Sequence, residues 1–369
     1  MKVVVSALQA HVGGSGVARY QREIASACLL GSQEGITVLV PTELKQHVTR
    51  PCATNAVRFV RIPSNTHLRN VTELLVWQSL ARSDQALLSL DISTWGTWGR
   101  CVAVVHDISF QIDSGWYTRR QQWWKTSRMK RLERAAAAVA CVSEFVRSEL
   151  LNRYPALEDR TVTIRSAITR LPEPSMGDLE RVAARVRKDC LNLLLVGAIT
   201  AHKGTSQFLA ALRALSEKRI RAHGWLIGRK GWRCSELVQE IGSLEERGLL
   251  TWLTDVTDGE LAAWYRTADL VLHCSKYEGF GFVPGEAYLA GGRVLCRRLP
   301  PVVEYLGDVI DYFDESTGSA LAERIENVLK YPPRAQDDAT VSRRTWADVG
   351  CDLCKLAAGD EGAGAPGLS

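Results

Sequence analysis

The amino-acid sequence predicts an α/β protein built from two doubly wound domains with parallel sheets. Three observations carry this reading. Short, continuously apolar runs, such as residues 101–105 and 136–142, have the character of strands buried on both faces. Amphipathic segments alternate with them, as where Phe208, Leu209, Leu212 and Leu215 fall at helical spacing. The alternation runs twice, broken by residues 171–177 (LPEPSMG), whose two prolines and glycine mark a linker. At about 150 residues per domain, a chain of 369 residues holds two, each large enough to bury a core.

The elements follow in order. Residues 3–7 form the first strand and 9–16 a loop containing Gly13, Gly14 and Gly16. A helix with Val17, Ile24, Ala27, Cys28 and Leu29 on one face then runs to Gly31, and 36–40 is a strand closed by Pro41. Strand, loop, helix, strand is the opening of a doubly wound domain. The second alternation begins with a strand at 193–196, passes through Gly197, Lys203 and Gly204 into a helix, and continues to a strand at 294–297. The domains expected are residues 1–172, with a late helix at about 343–358 packing back on them, and residues 185–342; residues 359–369, rich in glycine, are expected to be disordered.

Composition narrows the class. With 46% apolar and 24% charged residues and a net charge of +5, the chain is of ordinary globular make-up, not collagenous or disulfide-stapled. No apolar run approaches the roughly 20 residues of a membrane-spanning helix. The apolar start is too short for a signal peptide, and ten scattered cysteines suit a reducing compartment, so a cytoplasmic protein is expected. Cys351 and Cys354 form the one close pair; with no second pair or paired histidines at ligand spacing, no metal site is expected.

The strongest chemical signal is residues 275–287 (SKYEGFGFVPGEA). A buried strand ends at Cys274, and Gly279 and Gly281 let the backbone turn so that successive amides point at one anion at a helix start. Glu278 falls in the loop and Glu286 in the first helical turn, so one carboxylate can face a sugar and the other a ribose; a plain surface turn with Glu286 on the helix dipole is the alternative. Lys203 stands beside a second helix start, where a lysine is commonly just solvated. His106 ends a buried strand, where a structural and a functional histidine look alike. From Arg119 to Arg134 there are seven basic residues and one acid, and with Trp116, Trp123 and Trp124 the segment is either a solvated helix face or a surface for anionic lipid. The charge is too local for nucleic acid.

These motifs together resemble glycosyltransferase family 4, retaining nucleotide-sugar glycosyltransferases of GT-B fold, and within it bacterial polysaccharide and lipopolysaccharide mannosyltransferases. The resemblance rests on Glu278-Gly-Phe-Gly with Glu286 eight residues on, on residues 255–269 before it, on Val196-Gly197 to Lys203-Gly204, on residues 13–16 and 142–145, and on Thr345-Trp346, spanning about 340 residues. It implies two Rossmann-like domains facing across a cleft. It also implies a diphosphate held by Lys203, by the amides of Phe280, Gly281 and Phe282 and at Gly197, with Gly14 and Gly16 letting the first loop approach the diphosphate or the acceptor closely. Glu286 would bind ribose, Glu278 the transferred sugar, and His106 the same sugar from the other domain. Trp116, Arg119, Arg120, Trp123, Trp124 and Lys125 would form an acceptor or membrane surface on a protein cytoplasmic or peripheral to the inner membrane.

The implied reaction moves a hexosyl unit from a nucleoside diphosphate sugar, GDP-mannose favoured, to a glycan or lipid-linked saccharide, with no cofactor and no metal. The family's donor-loop arginine is replaced by Ala198 or His202, leaving Arg229 or Lys230 to supply the charge. A nucleotide-sugar epimerase or phosphorylase on the same fold and a non-catalytic sugar-nucleotide binder are the rivals. A dinucleotide dehydrogenase fails, since Arg19 stands where its third glycine would fall.

Overall fold

Apolar runs buried on both faces assemble into two parallel sheets. The computed structural model describes residues 2–10, 16–31, 35–45, 55–62, 72, 75–76, 85–92, 99–334, 341 and 343–360. The chain divides into two compact units, one of Met1–Ile112, Arg119–Ala167 and Arg344–Ser369, the other of Asp113–Thr118 and Ile168–Arg343.

The first unit carries β1 (Lys2–Ser6), β2 (Ile36–Pro41), β3 (Ala56–Val60), β4 (Gln85–Ser89), β5 (Arg100–Val105), β6 (Ala138–Cys141) and β7 (Thr161–Thr163) in the order β3-β2-β1-β4-β5-β6-β7. Every pairing is parallel, with Val5 opposite Val38 on one side and Leu88 on the other. Helices α1 (Gly16–Leu30), α2 (Ser109–Ile112), α3 (Arg119–Ala135) and α4 (Glu144–Arg153) connect the strands. The central β4 and the edge β3 escape the sequence reading. β4 (QALLS) has only three consecutive apolar residues between Gln85 and Ser89, and β3 is mostly exposed, so neither shows the continuous apolar run of a buried strand.

The second unit carries β8 (Leu191–Val196), β9 (Ala222–Ile227), β10 (Leu250–Leu253), β11 (Leu270–His273), β12 (Val294–Arg297) and β13 (Asp311–Phe313), in the order β10-β9-β8-β11-β12-β13 and again all parallel. Its helices are α5 (Met176–Arg185), α6 (Thr205–Glu217), α7 (Ser235–Glu246), α8 (Asp258–Thr267), α9 (Phe282–Leu289), α10 (Pro300–Leu306) and α11 (Gly318–Leu329). Leu193, Leu195, Phe208, Leu212, Leu272, Leu295 and Ile325 close its core. Each such side chain contributes about 1.5–3 kcal/mol by leaving water. The last helix, α12 (Trp346–Ala358), returns to the first unit against α1: Gly350 meets Ala27, and the thiols of Cys354 and Cys28 lie 3.4 Å apart.

Two segments group differently from the sequence-derived boundaries. Residues 113–118, expected with the first domain, group with the second unit. Trp116 and Tyr117 bury their rings there against His202 and Trp232, the Trp232 indole donates to the Trp116 carbonyl at 2.8 Å, and Arg233 donates to that of Tyr117 at 2.8 Å. Residues 168–172, expected at the end of the first domain, also group with the second unit, and the expected domain linker, residues 171–177, is fastened to it. Glu173 takes both guanidinium nitrogens of Arg266, Ser175 caps α5 through a reciprocal bond with Asp178, and Arg181 reaches Glu260 at 3.2 Å. Among the described residues no helix is long and apolar enough to cross a membrane.

Candidate functional site

In each sheet the strand order reverses beside the first strand, between β1 and β4 in one unit and between β8 and β11 in the other. Loops leaving the carboxyl ends of two such strands diverge to opposite faces and leave a crevice between them, the usual ligand position in open α/β sheets. In the second unit those loops are residues 197–204 and 274–281, the two segments richest in chemical signal.

The loops are stitched together by backbone. Gly204 has φ +73°, and a Cβ there would lie 1.9 Å from the Cys274 carbonyl oxygen, so only glycine permits the approach. The Lys276 amide donates to the His202 carbonyl at 2.7 Å. A turn at Ala201–Lys203 then aims Lys203 at the second loop, where its ammonium donates to both oxygens of Glu278, at 2.7 and 2.9 Å. Glu278 is nearly buried, its side chain 13% exposed. Burial alone would raise its carboxyl pKa, but the Lys203 ammonium, with His273 adding to it, drives it well below the usual carboxylate range.

Gly281, with φ +85°, caps α9 without a side chain, and its carbonyl accepts from the Tyr305 hydroxyl. Phe280 stacks on the Tyr305 ring at 4.6 Å and meets Phe282 at 5.1 Å, packing the residues on either side of Gly281. The helix starts at Phe282, so Glu286, expected in the first turn, is the fifth residue and lies in the second; it is 5% exposed. Gly197 follows β8 with φ +151°. Lys203, Glu278, Phe280, Gly281, Phe282, Glu286 and Gly197 thus belong to one unit, on the loops leaving two adjoining strands and on the helix that follows the second. Of the candidate substitutes for an arginine, Arg229 is exposed and 3.9 Å from Asp255, and Lys230 is bridged by its backbone to Ile199.

Sequence reasoning passes over His273, the last residue of β11, whose imidazole Nε2 stands 3.4 Å from Glu278 Oε1. The available signal is a polar residue ending an otherwise apolar strand, five positions before the glutamate. His202 is also unforeseen as a packing residue: it is buried among the rings of Trp116, Tyr117 and Trp232.

The remaining candidates lie in the first unit, except Trp116. His106 follows β5, and its Nε2 is 2.9 Å from the Leu90 carbonyl. That carbonyl can only accept, so the ring carries its proton on Nε2; burial lowers the pKa of the imidazole, with the carbonyl opposing. Its ring meets Tyr20 edge-on at 4.6 Å. Asp107 accepts from the Ser109 amide at 3.0 Å in the turn that leads into α2. Gly16 begins α1, and Gly14 lies outside the described residues.

The basic surface is only partly as expected. Trp123 is 68% exposed, Arg119 and Arg120 are exposed, and a groove of about 350 Å³ runs between Arg119, Trp123 and Lys130. Trp124 is half-buried under Arg128, and Lys125 covers the ring of Phe110 at 5.2 Å. Trp116 is no part of that surface: it is buried in the second unit, where its apolar ring finds the aromatic cluster around His202.

Residues 179–343 match the family profile of the glycosyl transferases group 1. The O-antigen chain mannosyltransferase B of Escherichia coli is 28% identical over 238 residues, which are 63% of this chain and 61% of that relative. The chain therefore spans about three fifths of that relative's length. Among solved structures, WaaG, a glycosyltransferase involved in lipopolysaccharide biosynthesis, is similar with a TM-score of 0.66 and 18% identity, covering 96% of this chain and 97% of WaaG. Anabaena HepE in complex with UDP-glucose is similar at 0.66 and 16%, covering 97% and 95%. At such identities the structures show the fold alone, which is GT-B, two Rossmann-like units in one chain.

Proposed function

We propose, for a GT-B chain whose residues 179–343 are a glycosyl transferases group 1 domain, that it transfers a hexosyl unit, mannose from GDP-mannose foremost, from a nucleoside diphosphate sugar to a glycan or lipid-linked saccharide with retention. The observation that carries this is the Lys203–Glu278 pair held where β8 and β11 part. The ammonium and the backbone turn at Phe280, Gly281 and Phe282, entering α9, are suited to a diphosphate. Glu286 takes the ribose hydroxyls and Glu278 the sugar hydroxyls. His106 is the first unit's candidate for the reacting sugar.

Glu278 is already engaged by Lys203 and needs no nucleophilic role. The acceptor oxygen bonds to the anomeric carbon as the carbon–oxygen bond to phosphate breaks, and the acceptor proton passes to the leaving phosphate oxygen on the same face. Charge on that leaving group is met by Lys203, the backbone amides and the helix start, with no metal required. The likeness to an O-antigen mannosyltransferase supports mannose and a cell-surface polysaccharide acceptor. The exposed Trp123 and its basic neighbours support docking on anionic lipid.

The test is a panel of GDP-, UDP- and dTDP-sugars, reading nucleoside diphosphate release and thermal shift, with Lys203→Ala and Glu278→Ala alongside and with excess EDTA in one arm. Release from GDP-mannose that survives EDTA and is lost in both variants is expected. Release from UDP-glucose alone would move the donor assignment, and EDTA-sensitive release would overturn metal independence. Binding without any release, even with oligosaccharide or lipid-linked acceptors, would favour a sugar-nucleotide binder. Sedimentation with phosphatidylglycerol vesicles, lost in Trp123→Ser, tests the lipid surface.

A further inference from the structure

We propose that His273 is a positioning residue that takes over the Glu278 carboxylate when Lys203 turns to a donor diphosphate. The proposal rests on the donor-site reading above. His273 is 3% exposed at the carboxyl end of β11, and its Nε2 has no hydrogen-bond partner. A buried ring nitrogen left without a partner is costly, and its presence calls for a use. Glu278 Oε1 faces it at 3.4 Å, an electrostatic contact longer than the usual N–H···O bond. Both Glu278 oxygens are meanwhile drawn to Lys203.

Glu278 Oε1 is thus approached by both the Lys203 ammonium, at 2.7 Å, and the His273 imidazole, at 3.4 Å. A diphosphate arriving at the helix start competes for Lys203. If the ammonium left, Glu278 would be a nearly buried carboxylate without a counter-group, a state strongly disfavoured. A movement of roughly half an ångström brings Oε1 to hydrogen-bond distance from Nε2. The imidazole therefore lowers the cost of releasing Lys203 and holds Glu278 in the position from which it meets the sugar. Histidine, lysine and glutamate all belong to the second unit, so the exchange is internal to it.

The experiment is a double-mutant cycle on the full chain, read by calorimetric titration with GDP, GDP-mannose, UDP and UDP-glucose. For whichever of these the wild type binds best, His273→Leu is expected to weaken binding about tenfold, and His273→Gln, which keeps an N–H donor, to restore it to within about threefold. In a Glu278→Gln background, with no carboxylate to hold, His273→Leu is expected to change affinity less than about twofold. Should His273→Leu not fold, His273→Asn, whose shorter side chain withdraws the donor, replaces it in the cycle. Wild-type affinity in His273→Leu, or an equal loss with and without the Glu278 carboxylate, would overturn the proposal while leaving the donor site intact. A wild type that binds none of the four nucleotides would overturn the donor-site reading, and this proposal with it.

Discussion

Glu278 accepts both its hydrogen bonds from a single ammonium, so loss of Lys203 strands a nearly buried charge. Lys203→Ala is expected to lower donor turnover about a hundredfold, by analogy with the loss of one preorganised charge at a leaving group. The same pair sets an acid limit. Because the folded carboxyl pKa is depressed below its ordinary 4.5, the stabilisation is complete above pH 4.5 and is lost as pH falls below it. Melting temperatures between pH 6 and pH 3 should fall less steeply in Glu278→Gln than in wild type. His223 behaves in the same sense at higher pH. Its Nδ1 lies 3.1 Å from the Gly248 carbonyl and its Nε2 2.9 Å from the Thr251 hydroxyl, which makes it a neutral ring donating from Nδ1 and accepting at Nε2. Burial first, and Arg187 second, lower its pKa from 6.5 to about 4. Stability is therefore full above pH 6.5 and declines toward pH 4; urea unfolding of His223→Gln should show a flatter profile across that window.

Between elements, the decisive contact is the one that sets the end of β8 against the end of β11. Gly204→Ala places a methyl group on the Cys274 carbonyl and a side chain at φ +73°, so a loss of about 2 kcal/mol or more is expected, together with loss of nucleotide binding. Denaturant unfolding and titration with GDP and UDP read the two effects separately. The glycine and lysine of this turn stand out in the sequence, because glycine before a helix and a basic residue beside it are local signals. The partner of the turn does not. Cys274 lies 70 residues away, and nothing in either segment states that the two carbonyl-lined ends meet. The position of Glu286 shows the same limit at smaller scale. Pro284 invites a helix start at itself, whereas the glycine turn ending at Gly281 lets the helix begin at Phe282.

At the scale of the chain, two units each have their own sheet and their own helices. Two calorimetric transitions are expected, with the second unit's raised by the nucleotide that binds. Leu353→Ala, at a fully buried position of α12, should cost about 2–5 kcal/mol and lower the other transition while leaving the nucleotide-shifted one in place. A single transition with both effects on it would show that the units unfold as one.

The doubly wound class, both first strands and the motif loops are written locally, as apolar runs, helical periodicity and glycines whose conformations few other residues adopt. Lys203, Glu278 and Glu286 could be singled out for the same reason: charge at a strand end or helix start is visible along the chain. That residues 113–118 group with the second unit, that Trp116 is buried, and that His273 faces Glu278 depend on side chains far apart in sequence being packed together. Such pairings follow from which surfaces bury each other best, a property of the assembled core that no short segment carries.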